Sequence, residues 1–390
     1  MSAAAAASAR PGPSALRSAA DAALVMAIGM GFGRFAFTAI YPHMIDEGLI
    51  TLAEGGWAAS VNYAGYLLGA LLGMRARAGS AHRLCLWAML GTACCLAILS
   101  VVQSAPLLIL LRGIAGVFSA LAMIAASLWL LEHRQQPRSA PLLYAGVGIG
   151  IAVSAELLAL GTWAGLHSGG LWLLLGAVSL LAGLAAARGL LAAGPVTVPA
   201  SLPANQPSGA AALTTVKAMP LVIVYGLAGF GYIITATYLP TLVKGALPNL
   251  DPAHVWAVFG LGAAPSCFLW HRLHHRLGTR QALCCNLLLQ AVGVIVPVFL
   301  ASATGYLLSA MLVGATFTGT VTIAMPAAQR IARATKTNLL ASMTVAYGAG
   351  QIAGPLVAGA IYSHSHSFSL SLMAAAAALA AAGAISLLAL

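Results

Sequence analysis

The stretch GMGFGRFAFTAIYPHM, residues 29–44, decides the fold because its central part returns later in the chain. FGRFAFTAIYP begins at Phe32, and FGYIITATYLP begins at Phe230. The Phe-Gly pair recurs at an offset of 198 residues, and the Thr and Tyr positions recur at an offset of 197. Both offsets are close to half of the 390 residues. Self-similarity at a fixed spacing indicates duplication, so the sequence predicts two similar halves.

The composition indicates a membrane protein. Hydrophobic residues make up 61% of the chain and charged residues only 6%. A soluble chain of this length cannot hide that much apolar surface from water. One helix needs about 20 apolar residues to cross a bilayer core. Windows of that length predict twelve transmembrane segments, near 22–43, 55–74, 84–103, 106–131, 141–165, 169–193, 218–243, 253–271, 282–302, 304–328, 339–362 and 368–389.

The net charge of +11 indicates topology and not nucleic-acid binding. If the N-terminus is cytoplasmic, fifteen of the 18 Lys and Arg residues fall on the cytoplasmic side and only Lys244 falls opposite. The other two, Arg34 and Arg112, lie inside predicted helices. This asymmetry follows the positive-inside rule. It predicts cytoplasmic N- and C-termini, a multi-pass protein of a bacterial inner membrane, and no nucleic-acid partner.

The predicted organisation is all-α, with two pseudo-symmetric bundles of six helices. A cytoplasmic tail covers residues 1–20, and the first bundle covers 21–193. Residues 194–217 are rich in Pro, Ser and Gly, which is typical of a linker, and the second bundle covers 218–390.

Local motifs resemble the major facilitator superfamily of transporters. LLRGIAG contains Arg112, Gly113 and Gly116, similar to the R-x-x-x-G motif of that family, and GQIAGPLVAG at 350–359 resembles its Gly-Pro packing pattern. GFGRFAFT followed by YP, and AYGAGQIAGP, resemble the largely uncharacterised YbfB/YjiJ-like branch. In one departure, Gly73 replaces the acidic residue of the loop signature after the second helix. The resemblance implies alternating access, with two halves rocking about a midplane site lined by segments one, four, seven and ten.

Two arginines within apolar segments are candidate substrate ligands. A charged side chain at the bilayer centre costs about 2.5–3.5 kcal/mol on insertion scales. A guanidinium offers a planar fork to a carboxylate or phosphate, and the resemblance places Arg34 and Arg112 at the central cavity. The sequence equally allows a structural role, in which an arginine caps backbone carbonyls or forms a fixed ion pair.

Glu156 is the candidate proton-coupling residue, because it lies about fifteen residues into the fifth segment. A carboxylate in a low dielectric exchanges protons near neutral pH. A static salt bridge to either arginine, or a position nearer the membrane surface, fits the pattern as well.

Hydroxyl and amide side chains complete the predicted substrate site. Thr38 and Tyr41 follow Arg34 at i+4 and i+7, which places the three on one stripe of a helix. Interhelical packing explains each polar residue as well. The further candidates are Asn62, Tyr66, Tyr232, Thr235, Tyr238, Tyr347 and Gln351.

These features favour a secondary transporter over an enzyme. The cysteines and histidines show no metal-ligand pattern, no nucleotide loop is present, and no cofactor is predicted. We expect a monomer in the lipid bilayer that moves a small organic solute, with an organic anion preferred, and that is coupled to H⁺. The alternative is a proton-driven multidrug or amphiphile exporter of the same fold.

Overall fold

The computed structural model describes residues 13–192, 217–247, 250–335 and 338–390. Within these ranges the chain is helical and has no β-strand, which confirms the all-α prediction. In chain order the first six helices are α1 (Pro13–Met26 and Ala36–Asp46, joined by the π-helix Ala27–Phe35), α2 (Leu52–Gly73), α3 (Ala81–Leu99), α4 (Ala105–Ser127, continued by the π-helix Leu128–His133), α5 (Ala140–Trp163) and α6 (Ser168–Ala192).

A long bent helix lies in the second half. Pro252–Phe299 has 48 residues but bends at Gly278, where φ is +75°. Only glycine adopts this backbone region without strain. We label the two arms α8 (252–277) and α9 (279–299); the count of twelve membrane crossings stays a prediction. The other helices are α7 (Ala218–Ala246), α10 (Ala303–Thr335), α11 (Leu339–Ser365) and α12 (Ser369–Leu388).

Nine helices of the described ranges are long and apolar enough to cross a membrane by length and composition, with Pro252–Phe299 counted as one. The two long helices outside this set are α2 and α11, which carry several polar side chains. They pack against each other, and the Ser60 hydroxyl donates to the Ile352 carbonyl at 2.9 Å. Polar atoms on these helices therefore find partners inside the protein, as they must in lipid.

The two halves use the same helix pairing. In the first half α2 packs on α4, and a Cβ at Gly116 would lie 2.0 Å from the carbonyl oxygen of Asn62. In the second half α8 packs on α10, and a Cβ at Gly314 would lie 2.1 Å from the carbonyl oxygen of Phe259. Only glycine allows backbones to approach so closely. The equivalent contacts agree with the duplication predicted from the sequence.

Polar contacts between the halves concentrate at one end of the bundle. We call this the acidic end, because it carries Asp46, Glu47, Glu54, Glu156 and Asp251. The opposite, basic end carries Arg75, Arg83, Arg134, Arg276 and Arg330. Across the acidic end, Lys244 of α7 forms a salt bridge with Asp46 of α1. The Thr162 hydroxyl of α5 donates to Asp251 at 3.1 Å.

The N-terminal boundary differs from the prediction. The predicted tail 1–20 is helical from Pro13 onward and continues into α1. Proline is well tolerated in a first helical turn, and the alanine-rich segment that follows contains no helix breaker. Residues 1–12, and the predicted linker 194–217 apart from Lys217, lie outside the described residues.

Candidate functional site

The site is built around a π-helical stretch in α1. The segment AIGMGFGRF, residues 27–35, is entirely buried. π-Helical turns are rare and frequently mark functional sites. This one places Arg34 inside the bundle, where its side chain is only 4% exposed.

Arg34 is enclosed by aromatic rings. Its guanidinium carbon lies 4.1 Å from the ring centroid of Tyr66 and 4.9 Å from that of Tyr63, both on α2. The Phe35 ring lies at 5.2 Å. Such cation–π contacts hold a cation in place, but they do not satisfy its N–H groups.

One edge of the Arg34 guanidinium has no partner. Its Nε and Nη2 atoms are buried without a hydrogen bond. None of the ion pairs among the described residues involves Arg34. These N–H groups form the side-on fork that binds a carboxylate through two parallel hydrogen bonds. The structure thus presents a desolvated bidentate donor.

Arg112 has a different role from Arg34. It is 1% exposed in α4, and its Nη1 and Nη2 atoms donate to the carbonyls of Gly33 and Arg34, each at 2.9 Å. Its guanidinium also lies over the Phe37 ring at 4.6 Å. These hydrogen bonds match the carbonyl-capping alternative, while the Nε of Arg112 is buried without a partner and its predicted contact with substrate stays a prediction. Its two hydrogen bonds satisfy carbonyl oxygens in the π-helical stretch of α1, which is the stretch that positions Arg34.

Residues of the second half cover the other side of the site. Tyr232 of α7 accepts a hydrogen bond from the Gln351 amide of α11. The Tyr232 ring stacks with Tyr347 at 5.9 Å and contacts Phe317 of α10 at 5.2 Å. Tyr232 and Tyr347 are both within electrostatic range of Arg34. The predicted residues Arg34, Tyr66, Tyr232, Tyr347 and Gln351 therefore form one aromatic cluster between the halves.

Three predicted ligands tie helices together through backbone carbonyls. The Thr38 hydroxyl donates across the halves to Ala236 at 2.9 Å. The Tyr41 hydroxyl donates to Leu52 at 2.5 Å, and the Tyr238 hydroxyl donates to Pro355 at 3.0 Å. Each hydroxyl still has lone pairs that can accept a hydrogen bond, so direct substrate contact by Thr38, Tyr41 and Tyr238 stays a prediction.

Two further candidates keep unpartnered polar atoms. The Asn62 amide donates to the Arg112 carbonyl at 2.7 Å, while its Oδ1 is buried without a donor. The Thr235 hydroxyl is fully buried, also without a partner. Both atoms remain available for an additional contact in the bundle interior.

Glu156 lies apart from the two arginines: none of the ion pairs among the described residues joins it to Arg34 or Arg112, and its proton-coupling role stays a prediction. Its side chain is 50% exposed and accepts a hydrogen bond from the His254 ring of α8 at 3.0 Å, with the histidine as donor. It lies on the same face of α5 as the exposed residues Ile149, Val153, Leu160 and Trp163. The sequence position alone could not give this orientation, because apolar residues flank Glu156 on every side of the helix.

Comparison with known proteins gives the family. A family model described as "Uncharacterised MFS-type transporter YbfB" matches residues 26–387. The chain belongs to this family of major facilitator transporters. No curated protein matches the sequence. As a member of a transporter family, the chain is not an enzyme.

Solved transporters share the fold of this YbfB-type chain at low sequence identity. One is a bacterial homolog of the human lysosomal transporter Spinster, in an inward-facing and unoccupied conformation. It has a TM-score of 0.70 and 13% identity, over 97% of both chains. A mutant of the nucleoside transporter NupG also has a TM-score of 0.70 and 13% identity, over 95% of this chain and 98% of that one. These likenesses confirm a multi-pass transporter fold.

Sequence reasoning missed several members of the aromatic cluster in this YbfB-type transporter. Phe317 and Tyr225 each pack a tilted ring against a tyrosine of the cluster, and the Met123 sulfur accepts from the Tyr66 hydroxyl at 2.7 Å. Aromatic and methionine side chains carry no signal against an apolar background. The described residues contain no group of three metal-binding side chains.

Proposed function

We propose that the protein is a secondary transporter of a small organic anion, held by the free edge of the Arg34 guanidinium. The observation that carries this proposal is the pair of buried, unpartnered N–H groups on Arg34. A buried donor without an acceptor costs about 1–3 kcal/mol, and more when it is charged. A carboxylate on the substrate would satisfy both groups at once.

The distribution of acidic residues supports a negatively charged substrate. All seven Asp and Glu residues lie within the described ranges. Asp21 is 13 residues before Arg34 in α1, a rise of about 20 Å, and contacts Gly189. Glu132 lies in the last turn of α4 at the basic end, and the other five lie at the acidic end. The chain therefore supplies no carboxylate to neutralise Arg34, and a substrate anion would do so.

The aromatic cluster suggests a substrate with a planar or apolar body. Tyr63 and Tyr66 present ring faces to the guanidinium. Tyr232 and Tyr347 lie within electrostatic range of it, and a free Thr235 hydroxyl and Asn62 oxygen lie in the bundle interior. Small-molecule sites typically combine aromatic and apolar side chains with a few polar groups that fix the orientation of the ligand.

Alternating access follows from the arrangement of contacts between the halves. We propose that the bundles 21–193 and 218–390 rock about the Arg34 cluster, in twelve crossings with cytoplasmic termini and with the acidic end in the periplasm of a bacterial inner membrane. The positive-inside asymmetry supports this orientation. The polar contacts across the acidic end would break when that end opens. An anion that binds the two orientations with different affinity would then shift their populations.

Proton coupling is proposed to act through the pair formed by Glu156 and His254. The pair joins α5 of the first half to α8 of the second. Histidine changes charge between pH 5 and 8, so its ion pair with a carboxylate depends on pH in that range. Asp251, three residues before His254, accepts from Thr162 and from the backbone of Ala253. The ion pair between His254 and Glu156 would therefore favour the state closed at the acidic end.

Glu156→Gln and His254→Asn are each expected to flatten the pH dependence of transport. Because either change removes the ion pair, a rate that varies about tenfold between pH 5 and 8 should vary less than about twofold. Uptake into proteoliposomes at fixed membrane potential measures this. His167→Asn is the matched control, because His167 lies 3.6 Å from Glu47 within the first half. An unchanged pH profile in both variants would refute the coupling role of the pair.

The substrate class is tested by ligand-induced stabilisation of the purified protein. The panel contains small aromatic and aliphatic carboxylates, organic phosphates and cationic amphiphiles. We expect a carboxylate to raise the melting temperature, since a ligand at 100 times its Kd stabilises by about 2.7 kcal/mol. Stabilisation by cationic amphiphiles alone would reject the anion proposal and favour the amphiphile exporter.

A further inference from the structure

A pocket lies at the basic end, about 10 Å along α2 from Tyr66. It opens between the ends of α2, α3 and α4, has a volume of about 420 Å³, and is lined by Leu72, Gly73, Arg75, Ala76, Ser80, Arg83, Leu84, Trp87 and Leu121. Helix α2 ends at Gly73 and α3 begins at Ala81, so the pocket is at the level where both helices leave the apolar layer. It plays no part in the proposed transport site.

The pocket is positively charged without a compensating carboxylate. Arg75 and Arg83 both line it, and neither takes part in any ion pair among the described residues. The position that would carry an acidic side chain in the superfamily loop signature is Gly73, on the pocket wall. A Cβ at Gly73 would lie 2.4 Å from Cδ1 of Ile124 on α4, so a side chain here would require the end of the Ile124 side chain to shift.

The rim of the pocket is apolar and exposed. Leu72 is 54% exposed, and the Trp87 side chain is 67% exposed. Met74, between Gly73 and Arg75, is exposed as well. Tryptophan is enriched where the membrane meets water, because its ring is apolar and its N–H is polar. The same short surface therefore offers cations for a headgroup and apolar side chains for the upper part of an acyl chain.

We propose that this pocket binds the phosphodiester headgroup of an anionic glycerophospholipid from the leaflet at the basic end. The phosphate lies between the guanidinium groups of Arg75 and Arg83, and the acyl chains run along Leu72 and Trp87. Basic pockets between helix ends bind such headgroups, and arginine suits phosphate because its fork donates two hydrogen bonds. Positive-inside topology places this end in the cytoplasmic leaflet.

The occupant is expected to stabilise the N-terminal bundle. Helices α2 and α4 carry Tyr66 and Arg112, which contact Arg34, and both helices line this pocket. A lipid that binds the folded protein raises its stability by mass action. Lipid binding is measured without a transport substrate, so its outcome is independent of the anion proposal.

The test is a titration of the full-length protein with phosphatidylglycerol, against phosphatidylcholine as the neutral reference. Melting temperature and native mass spectrometry give the apparent affinity and the number of retained lipids. We expect saturable stabilisation by phosphatidylglycerol, one retained lipid, and a loss of affinity of about 10- to 30-fold in the double variant Arg75→Gln/Arg83→Gln. Arg77→Gln is the matched control, because Arg77 is exposed on the same loop but does not line the pocket.

Three results would overturn this inference. If Arg77→Gln lowers the affinity for phosphatidylglycerol as much as the double variant does, the lipid is attracted by the general surface charge and not by this pocket. Equal stabilisation by inorganic phosphate would mean a free-phosphate site and not a lipid site. An unchanged phosphatidylglycerol titration in the double variant would exclude the pocket altogether, and since both arginines are exposed, this variant should fold normally.

Discussion

Transport of the stabilising carboxylate is expected to fall at least about 100-fold when Arg34 is replaced by glutamine. A hydrogen bond to a charged group contributes about 1.5–3 kcal/mol, and the free edge of the guanidinium provides two. In a water-excluded interior no solvent replaces them. Initial uptake rates into proteoliposomes, at equal protein incorporation, measure the effect.

Arg34→Lys separates charge from geometry. Lysine keeps the positive charge but lacks the planar fork, so transport should recover only in part. Arg276→Gln, at the basic end, removes one charge far from the site and should leave the rate unchanged. If Arg34→Gln transports normally but melts at a lower temperature, Arg34 is a structural brace and the anion site is elsewhere.

Arg112→Met is expected to cause the largest loss of stability, about 2–4 kcal/mol. Methionine has similar length but cannot donate, so the carbonyls of Gly33 and Arg34 would lose both hydrogen bonds from α4. Lipid offers no replacement donor. Thermal unfolding in detergent, followed by a buried-thiol probe, measures the change in melting temperature.

Ser119→Ala calibrates the Arg112 result. Ser119 lies seven residues after Arg112, on the same face of α4. Its hydroxyl donates to the carbonyl of Gly29 at 2.6 Å, in the same π-helical stretch of α1. Its loss should cost about 1 kcal/mol. If Arg112→Met keeps the wild-type melting temperature and loses only transport, Arg112 contacts substrate and the capping role assigned above is wrong.

Helices and their order were predictable because lipid imposes a simple physical pattern. Long apolar runs must be helical, since every backbone group needs an internal partner. The predicted segments at 55–74, 84–103 and 141–165 overlap α2, α3 and α5 closely. The π-helix in α1 was not predictable, because its register depends on hydrogen bonds that Arg112 and Ser119 supply from another helix.

The sequence identified the unusual residues of the site, but it did not predict where their side chains point. Arg34 stood out because a buried cation is expensive, and its environment in the structure agrees with that argument. Arg112 and Glu156 stood out for the same reason, yet one caps carbonyls and the other lies on the outer face of α5 beside His254. The energetic cost of a charge in an apolar segment identifies an unusual residue, whereas the direction of its side chain follows from packing between helices that are distant in the sequence.

The contacts of α5 bear on how the two halves can move. A Cβ at Gly31 of α1 would lie 2.5 Å from the Cα of Gly150, and a Cβ at Gly148 would lie 2.7 Å from the Cα of Ala264 on α8. At these points α5 meets both neighbours as bare backbone, with no ridge of side chains locked into a groove. Helix α5 thus offers backbone atoms to both neighbours at these points. We therefore expect that movement of the halves past α5 separates few interlocked side chains, and that the polar pairs at the acidic end contribute most of the barrier between the two orientations.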